Sequence, residues 1–442
     1  MKNIAKVWRS STAFLLSALS FLILITSCSN ELDEALQPAN NGTLQFVVSD
    51  FPAFGEGPET RVIGTQDEGK TAWENGDKIL VHLYSQKYGD QAVTLTFDAE
   101  NNTWESDGGT LSYLENETPT ITAVYAPDCE IKSDKTIGLL EGKKYGTAEY
   151  IPARTTISEN SLDINFESGR TYSRLRIAAL AEQELSVTTT GFTPAGATTM
   201  ATDAYTLTAD DKGNAYLYGV FAEGATVTVK QGDITLKDYT FTAEKNPNGT
   251  EYNKSYALDA TPVIDGTLGG KATATEDDIT ALVAQLKAYV DNGITTIIVP
   301  GSQPATIDMG LWINTAIGEA IYRLSKEESY DGKIDLILPD VTEIVDQEFD
   351  GAHALNSINL PKVTTVGDGA FYDCQYLEEL MFGSVVTAIN QNTRAVFHRV
   401  GEKVEGCDLV LNREQVNAEA DYQPNIETRT WWNTEWKSIT LK

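Results

Sequence analysis

Histidine and cysteine are scarce in this chain. It has three histidines (His82, His353, His398) and four cysteines (Cys28, Cys129, Cys374, Cys407) among 442 residues. The histidines stand far apart, without metal-ligand spacing, so no metal centre is expected. Four dispersed cysteines exclude a disulfide scaffold. Positive charge is also short: 33 Lys and Arg face 64 Asp and Glu, a formal charge of −31. Such a field repels phosphate backbones, so nucleic acid is not an expected partner. Gly-x-Ser-x-Gly, His-Glu-x-x-His and phosphate-loop spacings are missing, and no cofactor motif is found. The acidic groups Asp346-Gln-Glu348 and Glu276-Asp-Asp278 read as a solvated turn and a helix start. His82 lies on a strand pattern. The chain is not expected to be an enzyme.

Residues 14–25 form an apolar run about half as long as a bilayer-spanning helix needs. Lys2, Lys6 and Arg9 precede it, and the small residues Thr26 and Ser27 lead into Cys28. That order reads as a secretory signal peptide over 1–27, removed on export. Ile25-Thr26-Ser27-Cys28 resembles the lipobox of bacterial lipoproteins. The resemblance implies cleavage before Cys28 and acylation of its thiol, each buried methylene adding ~0.8 kcal/mol to a lipid anchor in the outer membrane. Residues 28–42 then read as the acylated cysteine and a flexible linker. Glu31, Asp33 and Glu34 are similar to the acidic signal that displays some lipoproteins on the outer face.

From Thr43 the pattern turns to period two. Strand candidates lie at 43–48, 78–84, 93–97 and 120–125, separated by Asn75-Gly-Asp, Tyr88-Gly-Asp, Glu100-Asn-Asn and Ser106-Asp-Gly-Gly. Alternating β-branched and aromatic residues between turn signals predict an antiparallel sandwich over 43–158. A second alternating series, including 161–166, 173–178, 214–219 and 226–230, predicts another sandwich over 159–262. No amphipathic helix of ordinary length precedes residue 270.

Several stretches in this half carry a family resemblance. Thr60-Arg61 is followed by Thr71-Ala-Trp-Glu-Asn-Gly-Asp-Lys-Ile79, then Trp104, Ala123-Val-Tyr-Ala-Pro127, Phe166-Glu-Ser-Gly-Arg-Thr-Tyr-Ser-Arg-Leu-Arg-Ile177 and Asn253-Lys-Ser-Tyr-Ala-Leu258. This order resembles the fimbrillin family, the two-domain β-sandwich subunits of type V pili, over about residues 43–260. The resemblance implies export as a lipoprotein, then cutting by an arginine-specific protease at Arg61. The cut removes the anchor with the first strand, and a neighbouring pilus subunit donates a strand to the vacated groove. Uncut, Arg61 is a solvated loop residue.

After residue 262 the pattern changes again. Thr275-Glu-Asp-Asp278 resembles a capping box ahead of a helix with apolar residues at 279, 282, 283, 286, 289 and 290. A strand at 294–299, a helix at 311–326 and a strand at 334–338 follow. Then Leu338-Pro-Asp-Val-Thr-Glu-Ile344 with Phe349, Leu355 and Ile358 repeats after 22 residues as Leu360-Pro-Lys-Val-Thr-Thr-Val366 with Phe371, Leu377 and Leu380. An imperfect copy starts at Phe382. This period is the leucine-rich-repeat signature, and the 366–377 unit is similar to repeats of bacterial surface adhesins. Cys374 and Cys407 read either as a disulfide or as small core residues. Cys129 reads as a structural loop residue. Tyr422, Trp431, Trp432 and Trp436 read either as an aromatic binding surface or as a cap on the repeat stack.

The expectation is a mainly β chain. Two tandem antiparallel sandwiches are followed by a small α/β leucine-rich-repeat solenoid with a helical cap over 263–442. The resemblances imply a cell-surface adhesin, a tip or accessory subunit of a type V pilus. Its partners would be other pilus subunits through a donor strand, and a host protein or glycan. The alternative is a monomeric outer-membrane surface lipoprotein that binds such a ligand without entering a filament.

Overall fold

The computed structural model describes residues 44–54, 70–114, 117–158, 160–166, 170–244, 248–302, 304–307, 313–390 and 394–442. Cys28 and Arg61 lie outside them. The chain is mainly β, with two helices of ordinary length among the described residues, α1 (Glu276–Asp291) and α2 (Ala316–Leu324).

Two sheets share the first core. One is antiparallel, in the order Thr103–Ser106, Gly89–Asp98, Lys78–Ser85, Thr120–Tyr125, Ile151–Pro152. The other holds Gln45–Val48, Ser161–Asn165 and Arg154–Ser158. Strand alternation turns Ile79, Val81, Leu83, Val93 and Leu95 of the first inward against Leu162 and Ile164 of the second. The break expected at 158/159 falls inside the Arg154–Asn165 hairpin, so the first core reaches Phe166. Period-two alternation marks which face a residue takes, but not which strand it joins.

The second core lies under one six-stranded sheet built on Asn214–Gln231. The first part of this strand pairs with Ser173–Ala178, and the last part with Glu184–Pro194 and Ile234–Thr240. Register shifts between Thr190 and Phe192, where Gly191 takes φ +64°. Such a bulge bends the sheet, and only glycine adopts that conformation cheaply. The expectation of purely antiparallel sheets is corrected in two places. Gln45–Val48 runs parallel to Ser161–Asn165, and Ser255–Asp259 runs parallel to Ser173–Ala178. Both are end strands returning from a distance, so no hairpin dictates their direction.

Beyond residue 262 the strands Thr296–Ile298, Ile334–Ile337, Leu355–Leu360, Glu379–Phe382, Asp408–Leu411 and Ser438–Leu441 form one parallel sheet in chain order. A second parallel ladder joins Glu343–Ile344, Thr365–Val366 and Ala388–Ile389. Pairs such as Ile358 with Leu380 and Glu343 with Thr365 are one 22-residue period apart. Inside, Phe349, Phe371 and Phe397 stack face to face, with centroids 5.7 and 5.9 Å apart. Thr275 caps α1 in a reciprocal box with Asp278. Arg323 of α2 bridges to Glu276 of α1 and bonds Glu319 at 2.7 Å, clamping the helices together. The Gln231–Ile234 turn of the second sheet meets the end of α1, where the Asp233 amide donates to Asn292 Oδ1 at 2.8 Å.

Glu348 is not the solvated turn residue expected. It is buried under the start of α2. Thr315 Oγ1 donates to its Oε1 and the Val345 amide to its Oε2, both at 3.1 Å. Helix and turn approach closely because residue 318 is glycine: a Cβ there would sit 2.1 Å from the Glu348 carbonyl oxygen. Burial pushes the Glu348 carboxyl up to about 7, against the two donors that lower it. Its unfolded value is 4.5. Between these values the unfolded chain loses the proton first, so stability falls as pH rises through this window and levels off above it. The penalty is on the order of 3 kcal/mol. Glu348→Gln is expected to remove that slope. Urea midpoints of the wild type and the variant from pH 4 to 8 check it.

Candidate functional site: the seat of the first strand

Gln45–Val48 is a short edge strand, paired on one side only among the described residues. The Gln45 amide donates to the Asn160 carbonyl at 2.8 Å and the Ser49 amide to the Ile164 carbonyl at 3.0 Å. Leu44 is buried, Phe46 and Val48 are half-buried, and Val47 on the opposite face is 55% exposed. So few ladder bonds hold the strand weakly by themselves. What fixes it comes just after. Trp73 Nε1 donates to the Ser49 carbonyl at 2.9 Å, and Ser49 Oγ accepts from the Phe166 amide at 2.9 Å. Phe51 is buried edge-on against Trp73 (4.9 Å) and Tyr125 (5.5 Å).

Arg170 closes the seat. Its side chain is 0% exposed. Nε and Nη2 form a fork on Glu149 at 3.0 and 2.8 Å, while Nη1 donates to the Pro52 carbonyl. Tyr172 also donates to Glu149. Burial works against the Arg170 charge, but the hydrogen bonds and charge of Glu149 outweigh it and raise its pKa. Burial, then the Glu149 charge, pushes the Tyr172 hydroxyl well above its ordinary value. On the other side of Phe51, Lys70 bonds Asp77 at 2.5 Å and lies 5.4 Å from the Phe51 centroid. A cleft of about 1060 Å³ opens beside these groups, lined by Lys70, Asp77, Tyr125, Glu149, Arg174 and Tyr216 among others. The arrangement suits holding an extended segment with aromatic anchors.

The sequence-derived sites fall as follows. Cys28 and Arg61 lie outside the described residues. Trp431 and Trp436 are 1% and 2% exposed and contact Phe397 at the end of the phenylalanine stack. As members of an aromatic binding surface they are corrected: the last turn of the stack needs large apolar groups over it, and these two rings supply them. Tyr422 and Trp432 remain half-buried and stack on each other, with centroids 5.2 Å apart and planes at 6°. Cys129, Cys374 and Cys407 are buried and free, which removes the Cys374–Cys407 disulfide as an alternative. Burial pushes all three thiols up, Cys129 to about 11. His82 bonds Asp90 at 2.8 Å. Among the described residues no group of three or more His, Cys, Asp or Glu could hold a metal, and no helix is long and apolar enough to cross a membrane. Sequence reading missed Phe51, Phe54 and Glu149. Arg170 stood inside the 166–177 stretch without an assigned task. The aromatic pair around Pro52 was the one available signal for this anchor.

Fold and seat together define a mainly β, multi-sheet protein whose Gln45–Val48 strand lies at a sheet edge. No family model matches the chain, and no curated protein matches it. It is similar to two solved structures. One is a candidate cell-adhesion protein of Bacteroides fragilis, with 12% identity and a TM-score of 0.26, over 49% of this chain and 92% of the other. The other is a fimbrial protein of Bacteroides ovatus, with 9% identity and a TM-score of 0.25, over 50% of this chain and 48% of the other.

Proposed function

We propose that this chain is a fimbrillin-like surface adhesin, a tip or accessory subunit of a pilus, assembled by exchange of its first strand. The observation that carries the reading is the seat. A four-residue edge strand lies between a lipobox-like Cys28 and a family-like Arg61, and the side chains that hold it, Trp73, Tyr125 and Arg170, come after Arg61 in the chain. Cutting at Arg61 detaches residues 44–54 from everything that follows. The groove left behind has unpaired backbone on Ser161–Asn165 and an apolar floor of Trp73, Tyr125 and Phe166, a strong site for an incoming strand.

In this reading Ser438–Leu441 stays paired with Asp408–Leu411 in the parallel sheet. The 263–442 region, read as a leucine-rich-repeat solenoid, then presents its surface outward. The stacked Tyr422 and Trp432 are offered there to a host protein or glycan.

Arg61→Ala tests this reading. The variant is expected to remain in the outer-membrane fraction and to be absent from sheared pili, while the wild type is recovered in both the released and fibre-bound pools. Equal incorporation of the variant contradicts it. A wild type that keeps its lipid on Cys28 with Arg61 uncut favours the monomeric lipoprotein instead.

A further inference from the structure

We infer that the seat contains a selectivity pocket for an aromatic side chain, so that any strand replacing residues 44–54 must bring an aromatic residue to the position of Phe54. This rests on the exchange reading above and goes beyond it by naming what the incoming segment must carry. Phe54 follows the strand itself and belongs to neither sheet, yet two guanidinium groups converge on it. Arg170 lies 3.9 Å from its ring centroid and Arg174 lies 5.0 Å away, with the Tyr172 ring edge-on at 6.4 Å. Both arginines are buried.

The chemistry of Arg170 narrows the occupant. Three of its five N–H donors are committed, two to Glu149 and one to the Pro52 carbonyl. What it presents to the pocket is the flat face of the guanidinium, which stacks on a π system and gains little from an aliphatic group. A carboxylate finds the fork occupied by Glu149. Arg174 donates through Nε to Ser255 Oγ at 3.0 Å and lies 5.4 Å from the Tyr216 centroid, so it too works partly through its face.

The Pro52 carbonyl sets register. Every residue has a carbonyl, so this bond selects no side chain, but it fixes the aromatic two positions later. Phe51 fills the preceding pocket between Trp73, Tyr125 and Lys70. The recognised segment therefore has the form aromatic-x-x-aromatic at the end of a short strand.

The test uses the full chain cut after Arg61 and freed of its N-terminal piece. Three synthetic peptides of residues 44–54 are titrated by fluorescence anisotropy: the native sequence, Phe54→Tyr and Phe54→Leu. The protein is the same in every titration, so folding of a variant is not at issue. The native and Phe54→Tyr peptides are expected to bind within about threefold of each other, and Phe54→Leu about tenfold or more weaker. Equal binding of Phe54→Leu overturns the aromatic pocket and leaves strand exchange standing. Failure of the native peptide to bind overturns the exchange reading, and the pocket with it.

Discussion

Phe371→Ala is expected to destabilise the C-terminal region by about 3–5 kcal/mol, the cost of removing a buried phenylalanine and leaving a cavity. Phe371 is the middle ring of a three-ring stack, with Phe349 at 5.7 Å and Phe397 at 5.9 Å. Both neighbours lose a face when it goes, and packed interiors close such gaps only in part. The stack ends on Trp431 and Trp436, so tryptophan fluorescence in a urea titration reads the loss directly. Phe371→Leu keeps most of the volume and should cost about 1–1.5 kcal/mol. A Phe371→Ala loss below about 1 kcal/mol would mean that the turns do not share one core.

Glu149→Ala is the second large effect, about 3–5 kcal/mol on the first core. The substitution leaves Arg170 buried without its carboxylate partner, with the Pro52 carbonyl as its one remaining acceptor of those described above. It also strips Tyr172 of its acceptor. Adding Arg170→Ala should recover part of the loss, because the stranded charge is then gone. The exposed pair of Lys362 with Asp340 behaves differently: both groups are hydrated, and Lys362→Ala should leave the unfolding midpoint where it was. If Glu149→Ala is equally silent, the Arg170 fork does not hold the seat.

Much of this architecture was legible in the residues, and the reasons are physical. A strand such as Lys78–Ser85 alternates because one face meets the core. Thr275 and Asp278 announce a helix because both act within one turn. The 22-residue repeat fixes which strands become neighbours, since each turn can bury its leucines only on the next. Interactions that span the chain were not legible. Gln45–Val48 finds its partner more than a hundred residues away, and alternation is the same for parallel and antiparallel pairing. Glu348 reads as a turn acid because the helix that buries it lies earlier in sequence, as Thr315 and Gly318. Trp431 and Trp436 have the composition of a binding platform, and only their contact with Phe397 shows that they face inward. Arg170 and Phe54 were opaque for the same reason: their meaning is a contact 3.9 Å long.

The strand-exchange account depends above all on the chain being cut between its first strand and the rest. Intact-mass analysis of the protein in sheared, high-molecular-weight surface fibres decides this. The account predicts a species beginning at Val62, without lipid and without residues 44–54. Fibres that contain the chain still carrying its first strand, or a chain from Val62 that never enters fibres, would contradict it.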